Sequence, residues 1–196
     1  MSKVTIQGDA SGTGIFTIAS PNSNTDRTLV LPDEAGTIDT LQRTGNVLQV
    51  LSATKTDTSS TTGPTWSDTG LSVSITPTSA SSKFLFSAFL MAASEVGDGF
   101  YIRLVRDGTV IGIGDAAGSR LQVTFGSETF GTSYIAETVC VQYMDTPSTT
   151  SEIVYKVQFA GQLSDTTVYL NRSHQDTDSA VWPRGISTIT VMEIAG

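Results

Sequence analysis

The run Phe84-Leu-Phe-Ser-Ala-Phe-Leu-Met-Ala-Ala restricts the fold of this chain more than any other stretch. It is apolar at odd and even positions alike, so it leaves no face of a strand for water. A buried helix satisfies the same pattern, but the turn residues on either side and the three phenylalanines favour a strand. Such a strand either lies centrally in a sandwich or has its second face covered by a neighbouring subunit. The run is also too short to cross a bilayer as a helix, and no longer apolar stretch exists.

The flanking segments read as strands by alternation. Leu71-Ser-Val-Ser-Ile-Thr is apolar at every second position and so buries one face. Tyr101 to Arg106 sets Tyr, Arg and Val against Ile, Leu and Arg. Asp107-Gly108 then supplies a hairpin turn that needs positive φ, and Thr109-Val-Ile returns. Further strands are expected at Val47 to Thr54, Leu121 to Phe125, Ile135 to Met144, Glu152 to Ala160, Thr166 to Asn171 and Ser187 to Ile194. Lys55-Thr-Asp-Thr-Ser-Ser-Thr-Thr-Gly-Pro is rich in turn formers and reads as a loop. Nine or ten strands at this spacing predict an all-β chain, with a jelly-roll-like antiparallel β-sandwich over residues 46–196.

Composition removes several functions. Charged residues are 15% of the chain, and Ser, Thr and Gly take their place, which leaves little material for surface helices. A net charge of −8 provides no basic footprint for phosphates, so nucleic acid is not an expected partner. Met1-Ser-Lys leads straight into a β-type run without an apolar h-region, so neither a secretory leader nor membrane insertion is expected. The single cysteine, Cys140, lies in a strand pattern and is expected to be a small buried hydrophobe. Its solitary use fits assembly in a reducing cytoplasm.

The constellations that could carry chemistry are weak. His174 stands among Asn171-Arg-Ser-His-Gln-Asp-Thr-Asp, with no Gly-x-Ser-x-Gly elbow in the chain, and reads as a solvent-facing loop residue. Gly112-Ile-Gly-Asp-Ala-Ala117 imitates a dinucleotide fingerprint but lies between β-rich segments, where no helix N-terminus could receive a pyrophosphate. Asp176 and Asp178, with Asp165 or His174, lack the further ligands and glycine spacing of a calcium loop. No catalytic, cofactor-binding or metal-ligating residue is therefore assigned, and the chain is expected not to be an enzyme. The competing class is a carbohydrate-active hydrolase on a β-sandwich, which would need a cleft holding carboxylates of perturbed pKa.

If every strand reverses the one before it, long loops collect at the end opposite Val47. They are Lys55 to Gly70, Ser94 to Gly99, Gly114 to Arg120, Asp145 to Ser151 and Arg172 to Ile186. Asp107-Gly108, Gly161 to Asp165 and Gly126 to Ser133 fall at the near end. Loops gathered at one end of a rigid scaffold resemble a binding tip. Their candidate contact residues are Trp66, Asp98, Arg120, Asp176, Asp178, Trp182 and Arg184.

An N-terminal cassette precedes all this, from Val4 to Thr44, with short β-type runs at Val4 to Gln7, Ile15 to Ala19 and Thr28 to Leu31. None could hold a core alone, because a short hairpin is marginal without a partner surface. Residues 1–45 therefore read as an attachment segment. Its run Gly-Thr-Gly-Ile-Phe-Thr-Ile-Ala-Ser-Pro-Asn-Ser-Asn-Thr-Asp-Arg-Thr-Leu-Val-Leu-Pro-Asp-Glu-Ala-Gly-Thr resembles a stretch of bacteriophage tail-fibre and other virion structural proteins, of the cyanophage and marine-phage type. A looser likeness runs through Tyr101 to Thr109, Asp145 to Thr150 and Pro183 to Ile194. The resemblance implies a virion protein assembled in the host cytoplasm as a fibre-like homotrimer. It would attach to other tail or capsid proteins through residues 4–44 and present the sandwich to a host surface glycan or protein. A capsid decoration or cement protein that stabilises the shell is the alternative within the same class.

Overall fold

The computed structural model describes residues 43–95, 97–128 and 136–196, with isolated positions between 11 and 28. The chain divides into two units, Met1–Ile38 and Asp39–Gly196, and the architecture below is that of the second. Apart from those isolated positions, the expected cassette strands and the connector before Arg43 lie outside the described residues.

The described part of this unit is all β, in agreement with the sequence expectation. Its strands are β1 (Val47–Lys55), β2 (Ser59–Thr62), β3 (Ser67–Ile75), β4 (Lys83–Ser94), β5 (Gly99–Arg106), β6 (Thr109–Ile111), β7 (Phe125–Glu128), β8 (Glu137–Asp145), β9 (Ile153–Gly161), β10 (Thr167–Leu170) and β11 (Ser187–Ile194). They form two antiparallel sheets. Sheet A runs β1-β11-β4-β10-β2 with β8 also on β4; sheet B runs β3-β9-β5-β6 with β7 also on β5.

The register shows that several of these strands share one lane. β11 pairs with Lys83 to Phe89 of β4 and β10 with Ala92 to Ser94, so β10 and β11 lie in line along one edge. β2 and β1 lie in line beside them, and β8 takes the other edge of β4. In sheet B, β6 pairs with Leu104 to Arg106 and β7 with Gly99 to Ile102, again in line. The eleven segments therefore occupy eight lanes, four in each sheet. The first lane pairs with the last (β1·β11), the second with the seventh (β3·β9), the third with the sixth (β4·β8) and the fourth with the fifth (β5·β6). That nesting is one long hairpin rolled into a barrel-like sandwich, which is a jelly roll.

β4 lies in the middle of sheet A, one of the two placements its composition allows, and its outer face stays partly exposed. Phe84, Phe86, Ala88, Leu90 and Ala92 are fully buried against Phe100, Ile102, Leu104, Tyr155, Val157 and Phe159 of sheet B. Phe86 and Tyr155 meet across the sheets with ring centroids 5.7 Å apart. Burying side chains of this size stabilises the fold by roughly 1.5–3 kcal/mol each.

Several expectations are corrected. β2 falls inside the segment read as a loop, because its Ser and Thr side chains suit an edge strand that β10 can pair. The strand expected at Leu121 to Phe125 begins only at Phe125 and continues the lane of β6 instead of reversing it. Cys140 is exposed: Val139 and Val141 take the core positions, and alternation turns the cysteine outward.

That missing reversal changes which end each loop occupies. Asp145 to Ser151 lies at the near end with Asp107-Gly108, where Arg106 bonds Asp145. Gly161 to Asp165 lies at the far end, where Gly161 N–H donates to Gly63 O and Gln162 N–H to Gly99 O. Residues 112–124 and 171–186 belong to neither end; each leaves its sheet from the middle of a lane. At the near end the entering chain is tied down by Gly45 N–H to Ala195 O at 2.8 Å and Ala195 N–H to Asn46 O at 2.9 Å.

Candidate functional site

The excursion of residues 112–124 creates a recess on the outer side of sheet B. It starts at Gly112, whose φ is +61° and where an added Cβ would lie 3.0 Å from the Tyr143 ring. Glycine suits this position because a side chain would meet both the steric and the conformational penalty. The excursion then closes on itself: Gly114 N–H donates to Val123 O at 3.3 Å, Gln122 Nε2 to Gly114 O at 2.7 Å, and Arg120 N–H to Ala117 O at 3.2 Å. A recess of about 360 Å³ is left, lined by Trp66, Arg103, Val110, Ile113 and the segment 118–122.

One row of side chains across sheet B holds Arg103, the lining residue from β5, in place. Asp68, Gln158 and Arg103 are direct cross-strand partners on β3, β9 and β5. Gln158 Nε2 donates to Asp68 Oδ1 at 2.7 Å, and Arg103 Nε donates to Gln158 Oε1 at 2.8 Å. Lys156 Nζ reaches the other Asp68 oxygen at 3.0 Å. Hydrogen bonds from Gln158 and Lys156 hold the Asp68 carboxyl below its ordinary pKa. The Arg103 guanidinium stacks 4.3 Å from the centre of the Trp66 ring. Burial lowers its pKa from the ordinary value, and Asp68 partly offsets that. Among the described residues the charged lining consists of Arg103 and Arg120, with no carboxylate.

Two candidate contact residues from the sequence, Trp66 and Arg120, thus converge on this recess. Arg103 was missed. Its signal was present, since alternation places it on the outward face of Tyr101 to Arg106, but an outward arginine on a strand looks like ordinary surface.

The other candidates lie elsewhere. Asp98 is at the far end, where its carboxylate accepts from Thr166 Oγ1 at 3.0 Å and so braces a connection. Asp176, Asp178, Trp182 and Arg184 all belong to the excursion of residues 171–186. Arg184 Nε donates to Asp176 Oδ1 at 2.8 Å, and Arg172 lies 3.9 Å from the other oxygen, so Asp176 serves as an internal brace. Arg172 also stacks 3.9 Å over Tyr169. His174 is half-buried in a T-shaped contact with Tyr169, ring centroids 5.6 Å apart, and is not a freely solvated loop residue. Trp182 is half-buried and Asp178 exposed. Among the described residues no group of three or more His, Cys, Asp or Glu is placed to hold a metal.

The fold and recess define the class: a jelly-roll domain whose sheet B carries a cationic and aromatic hollow. No family model matches the chain, and no curated protein matches it. Among solved structures it is similar to the infectious bursal disease virus VP2 subviral particle, at 14% identity and a TM-score of 0.34. That likeness covers 75% of this chain, which spans 38% of the length of the viral protein.

Proposed function

We propose that this chain is a non-enzymatic structural protein of a bacteriophage particle, a fibre-like homotrimer held to the virion through residues 4–44 and presenting its sandwich to a host surface. The observation that carries this reading is the outer face of sheet A. Three of its central cross-strand rows are Val50–Met192–Leu85–Met144, Ser52–Thr190–Ser87–Gln142 and Thr54–Thr188–Phe89–Cys140. None of these side chains carries a charge. Val50, Phe89 and Met144 are 51%, 53% and 46% exposed. The Val50–Met192–Leu85–Met144 row together with Phe89 makes an apolar strip on this face, bordered by Ser/Thr-rich positions and, at the start of β4, by Lys83. An exposed strip of this kind is costly to leave in water and suits an interface. A second copy of the chain is the occupant proposed here, and the fibre resemblance of the cassette supplies both the copy number and the particle.

Sedimentation of the full chain tests the assembly, with a threefold mass expected and a stable monomer contradicting it. Antibody labelling of intact virions tests the location. Label on tail appendages supports the fibre, label on the head supports the decoration role instead, and no label removes the virion assignment. Sustained release of reducing ends from host polysaccharide would overturn the non-enzymatic reading.

A further inference from the structure

We infer that the recess beneath the excursion of residues 112–124 binds a saccharide unit that carries a carboxylate. The inference rests on the host-surface reading above and specifies its ligand.

Trp66, Val110, Ile113 and Leu121 give the recess apolar wall, which suits the C–H face of a pyranose ring. Arg103 and Arg120 supply the anion site. Two guanidiniums lining one hollow with no carboxylate among the described lining residues is an unusual concentration of positive charge in a chain of net charge −8. Among the described residues neither arginine has an acidic side chain within ion-pair distance. Arg103 is also held in place: its Nε is bonded to Gln158 and its Cζ lies over the Trp66 ring, 4.3 Å from the centroid. With Nε taken by Gln158, the terminal N–H donors of Arg103 are left for a planar, two-oxygen acceptor. The volume of about 360 Å³ lies near the lower bound of ligand sites, roughly 300–1,000 Å³, and so fits a single unit of a glycan better than an extended segment. Arg103 is answered only in part by Asp68, and Arg120 Nη1 reaches Ala117 O at 3.3 Å. An acidic sugar therefore adds the carboxylate that neither has as an ion pair, whereas a simple anion would leave the apolar wall bare.

The test is calorimetric titration of the full-length protein with a panel of short oligosaccharides of uronic and ulosonic acids, each beside its carboxyl-reduced neutral counterpart. Saturable binding of at least one acidic member is expected, at least tenfold tighter than its neutral form and weakened by added salt. Arg120→Gln and Trp66→Leu should each reduce it about tenfold or more, a change near 1.4 kcal/mol. Arg120 is exposed, so its variant keeps the wild-type melting temperature and reports on the site alone. Absence of binding across the panel, equal affinity for the neutral forms, or unaltered affinity in both variants overturns the assignment. A monomeric mass or an unlabelled virion would instead overturn the particle reading and leave this titration standing.

Discussion

Asn171 Oδ1 accepts a hydrogen bond from Ser187 Oγ at 2.6 Å, and the two residues close the neck of the excursion of residues 171–186. Both are fully buried. They also take over the ladder at Met91: Asn171 N–H donates to Met91 O at 2.8 Å, and Met91 N–H donates to Ser187 Oγ at 3.1 Å. Sheet A therefore stays continuous although the chain leaves it between β10 and β11.

Asn171→Ala should destabilise the domain by about 2–4 kcal/mol. Its Nδ2 also bonds Lys55 O and Asp57 O, each at 2.9 Å, and its φ of +62° is one that asparagine tolerates better than alanine. Asn171→Gly should recover the backbone part and not the hydrogen bonds. Urea denaturation of both variants, with Ser187→Ala in a double-mutant cycle, checks this; a coupling below about 0.5 kcal/mol would mean that the pair is not a unit.

Tyr155 should remain protonated in the folded protein well above the range of an ordinary tyrosine. Burial raises its pKa most, and its hydrogen bond to Asp145 Oδ2 at 2.7 Å adds to that. A raised folded pKa means that the stabilisation is complete below about pH 10, the ordinary value, and is lost as pH rises beyond it. Spectrophotometric titration should show one of the five tyrosines ionising together with unfolding. Tyr155→Phe should remove that step and cost about 1–2 kcal/mol at neutral pH.

Glu193 predicts the acid limb. The residue is fully buried on the near end. Burial by itself would raise its pKa, but hydrogen bonds outweigh that and hold it below the ordinary value of 4.5. Thr78 donates through N–H and Oγ1, each at 2.7 Å, and Gln49 binds the other oxygen. A lowered folded pKa gives stability that is present above the unfolded value and lost as pH falls through the folded one. Melting temperature should thus fall from about pH 4.5 downward. Glu193→Gln should be less stable at pH 7 and show a shallower acid decline; identical declines would remove Glu193 as the cause.

Phe89 separates assembly from folding. It is 53% exposed, so Phe89→Ser should change the unfolding free energy of an isolated subunit by no more than about 0.5 kcal/mol. The same substitution with Met144→Glu should shift the sedimentation equilibrium toward single subunits, because a charge would enter the apolar rows. Unchanged mass in the double variant would move the interface away from sheet A.

Much of the sandwich was legible because strand periodicity is local. The alternation of Leu71 to Thr76 specifies which side chains leave water, whereas the doubly apolar run of β4 marks a strand without saying which face is core, and Phe89 stays 53% exposed. The Ser/Thr run of β2 carries no such signal, and only an edge of β10 makes it a strand. Cys140 shows the limit of reading a segment as apolar without its phase.

From the sequence alone come the all-β class, the strand nature of β4 and the hairpin at Asp107-Gly108, while sheet pairing places β4 centrally. Tertiary structure decided direction: whether Phe125 continues the lane of β6 or reverses it depends on pairing with Gly99 to Ile102, more than twenty residues away. It likewise decided the recess, since Trp66, Arg103 and Arg120 are distant in sequence and meet only through the jelly-roll closure. Side-chain phase is written in neighbouring residues, whereas lane order is a balance of loop closure against long-range pairing that no short stretch contains.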